Sequence, residues 1–297
     1  MLNLSPIVLF CYNRPDTLFN TIASLKKNKL AAESELYIFK DGLKNNATET
    51  EISKDKKIIE YINQLNGFKK ITFSLNDENL GLTKNIIKGL DKIFQNFDAA
   101  IILEDDLEFS EDFLEFMNEA LNFYKEDKNV GSVSGYSFGY EKLKLKDQLI
   151  ATNRHSSWGW GTWKDRWENI DWEIKDFENI RINKIIQQEF NKAGNDFFNM
   201  LRKNQEGRIQ SWAIKWNYHN FKLNRYCIVP RFSKVNNTGT DSKGTNFSRK
   251  TEKFKVRLHN EKINFINNLK VSDEIISFNQ NNFRIGKVDR FKNLFKL

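Results

Sequence analysis

Apolar residues in the first hundred positions fall into short unbroken runs, each closed by a polar turn. Ile7-Val-Leu-Phe-Cys-Tyr12 is rich in β-forming residues and stops at Asn13-Arg-Pro15. Leu36-Tyr-Ile-Phe39 stops at Lys40-Asp-Gly42, and Ile71-Thr-Phe-Ser-Leu75 at Asn76-Asp-Glu-Asn-Leu-Gly81. Ala99-Ala-Ile-Ile-Leu103 runs straight into Glu104-Asp-Asp106. Between these runs the apolar spacing becomes helical. Leu18, Ile22 and Leu25 share one face behind Asp16, a residue able to cap, and residues 48–65 and 82–97 read as further helices. Strands that are apolar throughout, alternating with helices, predict a mostly parallel sheet covered on both faces. Ligands bind such sheets at the carboxyl ends of the strands. Four strand ends then converge on one crevice, bringing Asn13 and Arg14, Asp41, residues 79–84, and Glu104 to Asp106 together.

The second half reads differently. A helix over residues 111–125 is followed by Gly131-Ser-Val-Ser-Gly135 and by a Trp-rich stretch from His155 to Trp172. A later amphipathic helix carries Ile209, Trp212, Ala213 and Trp216, and a loop rich in turn residues covers 236–244. Past about Phe247 the chain is rich in Lys and Asn with weak periodicity. The fold class is therefore α/β: a Rossmann-like, mostly parallel central sheet flanked by helices, a smaller part after it, and a basic C-terminal tail. Residues 1–250 form one domain and residues 251–297 an extension. In that extension Val288, Phe291, Leu294 and Phe295 would share a helical face ringed by Lys and Arg, a pattern that fits an anionic membrane surface or packing against the domain.

Composition narrows the function classes. With 39% hydrophobic and 29% charged residues the chain is globular, not disordered. A formal net charge of +8 asks for an anionic partner. The lysines are spread along the chain and no nucleic-acid motif is present, so a phosphate-bearing substrate or an anionic lipid surface is expected and nucleic acid is not. Cys11 and Cys227 make neither a disulfide framework nor a zinc site, which fits the reducing cytoplasm. No apolar run approaches the roughly 18 residues of a membrane span. The first residues lack a cationic region leading into a long apolar stretch, so no cleaved signal is expected.

Two constellations carry chemistry. Glu104-Asp-Asp106 follows a buried strand, and three adjacent carboxylates repel one another and favour a hard cation such as Mn²⁺ or Mg²⁺. Glu111 and Asp112, by contrast, suit the positive end of the next helix. Trp158, Trp160, Trp163, Trp167 and Trp172 are clustered, with glycines at 159 and 161. Flat aromatic faces suit sugar rings and equally suit a core. Trp163 and Trp167 have the spacing of one helix face, whereas Trp158, Trp160 and the later Trp212 are the candidates for the acceptor side.

Ile101-Ile-Leu-Glu-Asp-Asp-Leu-Glu-Phe-Ser-Glu-Asp-Phe113 resembles the acidic metal motif and following helix of GT-A glycosyltransferases, most closely N-acetylglucosaminyltransferase I and bacterial family 2-like sugar transferases. Val8-Leu-Phe-Cys-Tyr-Asn-Arg-Pro15, Phe39-Lys-Asp-Gly42, Asn79-Leu-Gly-Leu-Thr-Lys84, Ser157-Trp-Gly-Trp-Gly-Thr-Trp163 and Ser211-Trp-Ala-Ile-Lys-Trp216 follow the same order of segments, from about residue 5 to about residue 247. The resemblance implies that Asp106 binds the metal, that Glu104 and Asp105 contact the ribose and sugar of the donor, and that Asp41 hydrogen-bonds uracil, making the donor a UDP-sugar. Arg14 and Lys84 would face the phosphates. It implies inverting transfer to a saccharide in surface-polysaccharide assembly; with the basic tail, the acceptor is a saccharide or a lipid-linked saccharide, met in the cytoplasm or at the inner face of the plasma membrane. The family's general base falls at Gln210, and an amide is not a base. Glu206 and Asp241 are the carboxylates nearby in sequence, and the absence of an acid at 210 also admits a non-catalytic nucleotide-sugar or carbohydrate-binding module. Val235-Asn-Asn-Thr-Gly-Thr-Asp-Ser-Lys-Gly-Thr-Asn246 resembles a loop that closes over the donor, with Asn246 where relatives often carry His.

Overall fold

A computed structural model describes residues 4–239 and 253–284. Its centre is an eight-stranded sheet. The strands are β1 (Ile7–Cys11), β2 (Glu35–Lys40), β3 (Lys70–Leu75), β4 (Ala99–Glu104), β6 (Val130–Ser134), β7 (Leu149–Thr152), β8 (Trp160–Trp163) and β9 (Tyr226–Pro230), in the spatial order β3-β2-β1-β4-β8-β6-β9-β7. Strands β3, β2, β1 and β4 are mutually parallel. Strand β8 lies antiparallel between β4 and β6, and β7 is antiparallel on the far edge of β9. The sheet is thus mostly parallel, as the alternation of apolar runs and helices predicts. A separate two-stranded ribbon joins β5 (Leu107–Phe109) to β10 (Val235–Asn237).

Each central strand feeds two cores because its side chains alternate across the sheet. Ile7, Leu9 and Cys11 of β1, with Ile101 and Leu103 of β4, face one side. There they meet α1 (Pro15–Lys26), α2 (Glu49–Asn63) and α4 (Phe113–Tyr124) through Leu18, Ile22, Ile58, Phe113 and Met117. Val8, Phe10, Ala100 and Ile102 face the other side, against α3 (Leu82–Ile93), α5 (Lys164–Trp167) and α9 (Trp212–Lys222). Helices α6 (Phe177–Ile182), α7 (Lys184–Phe190) and α8 (Phe197–Gln205) build a satellite core with Tyr218.

Local chemistry sets the helix starts. Thr48 and Glu51 form a reciprocal capping box ahead of α2. Asp16 lies inside the first turn of α1 and not at its cap: the cap position is Arg14, and Pro15 opens the helix with a preset φ. Trp163 and Trp167 do not share a face. Trp163 ends β8 and packs in the first core, its Nε1 donating to Leu121 O at 3.0 Å, while Trp167 closes α5 and packs in the second.

Residues 253–284 pack along the cores of the sheet. Ile263 sits in the first core with Val256, Phe265, Leu269 and Val271 against it. In α10 (Asp273–Asn282), the fully buried Asn279 bonds Tyr140 Oη and Thr152 Oγ1. The apolar tail face at Val288, Phe291, Leu294 and Phe295 lies outside the described residues.

Candidate active site

The carboxyl ends of β1, β2 and β4 and the loop after β3 open into one cleft of about 1370 Å³. It is lined by Asn13 and Arg14 after β1, Asp41 after β2, Asn79 and Gly81 after β3, and Glu104 to Asp106 after β4. The parallel sheet delivers this convergence, since the strands end on one level and each hands its first polar residues to the same crevice. Lys84 is the exception. It lies in α3 with its side chain exposed and takes no part in the lining. The first turn of α3, through Gly81, Leu82 and Thr83, lines the cleft in its place. The positive end of its dipole suits an anion, and at its start the N–H groups of Leu80 and Gly81 already serve the Asp41 carboxylate.

Asp105 and Asp106 form the floor, and both are buried. The Arg14 guanidinium pairs with both of them, Nη2 with Asp105 and Nη1 with Asp106 Oδ2 at 2.9 Å. Burial disfavours the charge of Arg14, but the two carboxylates outweigh it and push its pKa up. Burial raises the pKa of Glu104, and the neighbouring Asp106 and Asp105 raise it further. Burial also raises Asp105, opposed by Arg14. Two oxygens, Asp105 Oδ2 and Asp106 Oδ1, are buried with no hydrogen-bond partner among the described residues. One guanidinium for three crowded carboxylates leaves negative charge and open lone pairs. That donor set, all oxygen, fits a hard divalent cation. No cluster of three or more potential ligands is assembled among the described residues, so the rest of an ion's coordination would fall to substrate oxygens and water.

From the opposite side the floor is held by main chain. Strand β10 pairs with β5, Thr238 donates to Asp106 O through both N (2.8 Å) and Oγ1 (2.9 Å), and a Cβ on Gly239 would collide with Asp106 Oδ2. Thr238 and Gly239 line the cleft and were not singled out by their chemistry. The signs in the sequence are that they sit in a loop of turn residues and that this loop, 235–246, resembles one that closes over the donor.

Asp41 is almost wholly enclosed, at 4% exposure. Its Oδ1 accepts from Gly42 N (3.1 Å), Asn76 Nδ2 (3.3 Å) and Leu80 N (2.9 Å). Its Oδ2 accepts from Asn79 Nδ2 (3.2 Å) and Gly81 N (2.9 Å).

The aromatic residues separate. Trp158 lines the cleft, its ring edge-on to Tyr136 at 4.6 Å and to Phe254 at 5.6 Å. Gly159 behind it has φ +56, and a Cβ there would meet Val235 Cγ2 at 2.6 Å, so the backbone that presents Trp158 needs a glycine. Trp160 and Trp212 are not in the lining. They stack at 5.3 Å inside the second core, with Trp216 at 5.5 Å from Trp160, and are 0% and 3% exposed. This corrects the expectation that they touch the acceptor: Trp160 points from β8 to the helix-covered face of the sheet, not to its end.

Of the candidate bases, Gln210 lines the cleft. Glu206 does not. It ends α8, exposed, and pairs with Arg202 at 3.3 Å and Arg208 at 3.2 Å. Asp241, like Asn246, lies outside the described residues.

The GNT-I family model matches residues 1–174, more than half the chain. The chain belongs to the GNT-I family. The match takes in β1 to β8, and with them the acidic floor and Trp158. Gln210, Thr238, Gly239, Leu258 and Asn260, on the remaining wall of the cleft, come after it. The α/β architecture, with its mostly parallel sheet, is of the GT-A type. No curated protein sequence matches the chain. Among solved structures, residues 1–349 of S. aureus TarS align at 11% identity over 80% of this chain and 61% of that one, with a TM-score of 0.42. The same fragment in complex with UDP aligns at 12% identity over 78% and 59%, with a TM-score of 0.43. The mannosyltransferase PcManGT from Pyrobaculum calidifontis, in complex with GDP-Man and Mn²⁺, aligns at 11% over 75% and 72%, with a TM-score of 0.38. The chain therefore spans less than two thirds of the length of the TarS fragment it matches.

Proposed function

We propose that this GNT-I family chain is a glycosyltransferase that moves a sugar from a nucleotide-diphosphate donor to a saccharide hydroxyl. One observation carries the reading: the acidic floor Glu104 to Asp106, with two buried carboxylate oxygens lacking a partner among the described residues, faces a cleft of about 1370 Å³ at the strand ends. That volume exceeds the roughly 300–1000 Å³ of a site for one small ligand, and leaves room for donor and acceptor together.

A divalent ion, Mn²⁺ or Mg²⁺, held at Asp106 with Glu104 and Asp105 beside it, would supply Lewis-acid stabilisation to the departing diphosphate. Arg14, already within hydrogen-bond distance of the floor, adds a fixed positive charge where the leaving group gathers negative charge. The positive end of the α3 dipole at the cleft wall would add to this field, where Lys84 was expected. Trp158 and Gln210 also line this cleft, and the Trp158 ring would supply the aromatic part of a sugar subsite. On this reading the donor is a UDP-sugar, transfer proceeds with inversion, and the acceptor is a saccharide, lipid-linked where the chain works on surface polysaccharide at the cytoplasmic membrane face. The net charge of +8 suits such anionic partners. No helix among the described residues is long and apolar enough to cross a membrane.

Gln210 favours a second reading, a binding module on the same fold, because its amide cannot take the acceptor's proton. Release of nucleoside diphosphate from a panel of UDP- and GDP-sugars, with Mn²⁺ and with mono- and disaccharide acceptors, separates the two. Turnover supports the transferase, binding without turnover supports the module, and neither binding nor turnover rejects both.

A further inference from the structure

We infer that the outer edge of β3 is the contact face of a homodimer, in which a second copy of this chain adds its own β3 antiparallel and continues the sheet. The inference stands independently of the chemistry of the cleft. Strand β3 (Lys70–Leu75) ends the eight-stranded sheet on one side, and no described strand pairs with its far edge. Half of its backbone N–H and C=O groups therefore point away from β2, the arrangement that templates a further strand. The register with β2 sets Ile71 beside Leu36, Phe73 beside Ile38 and Leu75 beside Lys40. Ile71, Phe73 and Leu75 thus share the sheet face that carries the first core. Ile71 packs against that core, but Phe73 and Leu75 are 44% and 41% exposed.

Charge along this edge selects the partner. Lys69-Lys-Ile-Thr-Phe-Ser-Leu-Asn-Asp-Glu78 is basic at one end, acidic at the other, and apolar at every second position between. All four charged residues are exposed. An antiparallel copy centred on Phe73 sets Phe73 against Phe73, Ile71 against Leu75 and Lys69 against Asp77, the last two pairs made twice by symmetry. Lys70 then lies diagonal to Glu78 at the same ends. Sliding the copy by two residues sets Leu75 against Lys69 or Ile71 against Asp77. Sliding it by one sets the apolar positions against the polar ones. A parallel copy in register would put lysines beside lysines and acids beside acids, which is unfavourable. The lysines guard the edge against other strands, and the acidic end admits this one. Because the pairing uses up the edge of both copies, it closes at two, and the antiparallel arrangement points the two clefts in opposite directions.

The test is the oligomeric state of the full chain by analytical ultracentrifugation, for wild type, Lys69→Glu, Asp77→Lys and the double variant Lys69→Glu/Asp77→Lys. A contact this short belongs at the weak end of specific interfaces, so the dimer is expected at micromolar concentrations. Each single variant turns two attractive pairs into two repulsive ones and should weaken dimerisation tenfold or more. The double variant restores opposite charges across the axis and should return to within about threefold of wild type. Phe73→Glu brings two carboxylates together at the axis and should be monomeric. The substituted side chains are exposed, so the circular dichroism of all variants should match that of wild type. A wild type that stays monomeric at about 200 µM overturns the inference. So does a dimer that the single charge variants do not weaken, or whose strength the double variant does not regain.

Discussion

Arg14 Nη1 stands 2.9 Å from Asp106 Oδ2, while the other arm of the same guanidinium pairs with Asp105. The residue after the first strand thus neutralises the residues after the fourth. Removing one partner of such a pair leaves buried charge without compensation, at about 3–5 kcal/mol when the pair is fully enclosed. The Arg14 side chain is 29% exposed, so the cost should be smaller. Arg14→Gln is expected to lower unfolding stability by about 2 kcal/mol. Added Mn²⁺ should raise the melting temperature of Arg14→Gln more than that of wild type, because an ion at the floor then replaces the missing charge. Equal shifts in the two proteins would contradict an ion at this place.

Asp106→Asn keeps the shape of the side chain and removes a charged ligand. Donor turnover is expected to fall a hundredfold or more, with the circular dichroism spectrum retained and the melting temperature within a few degrees of wild type. Turnover close to wild type in Asp106→Asn would remove Asp106 from the chemistry.

Trp158 and Trp160 are two residues apart and should respond oppositely. Trp160 is fully enclosed among Trp167, Trp212 and Trp216. Its replacement by Ala should cost about 3–5 kcal/mol of stability. Trp158→Ala should cost less and raise the KM for acceptor while leaving the KM for donor nearly unchanged. Chemical denaturation and steady-state kinetics on the two variants decide it.

Burial holds His155 down to about 3 and His219 down to about 4, so both are neutral in the fold at pH 5. In the unfolded chain each takes up a proton below its ordinary value of 6.5. The unfolded state therefore binds more protons in this window, and stability that is complete above about pH 6.5 is lost as the pH falls. At pH 5 the loss is about 2 kcal/mol from His155 alone. Urea unfolding at pH 7.5 and pH 5 should show it, and His155→Gln should flatten the dependence.

The donor half of the fold could be read from residues because its strands are uninterrupted apolar runs with polar ends, and sheet geometry then fixes where those ends meet. The convergence of Asn13, Arg14, Asp41 and Glu104 to Asp106 follows from that alone. What stayed hidden depends on contacts between distant segments. Nothing local says that Asp41 will be satisfied by a loop that follows the next strand, or that Arg14 will bridge the acidic triplet. Strand β8 has four residues with Gly161 inside, too few for alternation to show that Trp160 faces a helix layer. Aromatic chemistry serves a sugar and a core equally, so composition could not separate Trp158 from Trp160 or Trp212. Lys84 was expected at the phosphates because residues 79–84 resemble the family's basic loop, but helical geometry turns its side chain to solvent.

The absent side chain at Gly239 acts as a spacer gauge. A single added carbon at this position must either tilt the Asp106 carboxylate or push the β5–β10 ribbon off the acidic floor. The orientation of a charged group at the bottom of the cavity is thus set by a gap one atom wide, contributed by a stretch of chain far downstream.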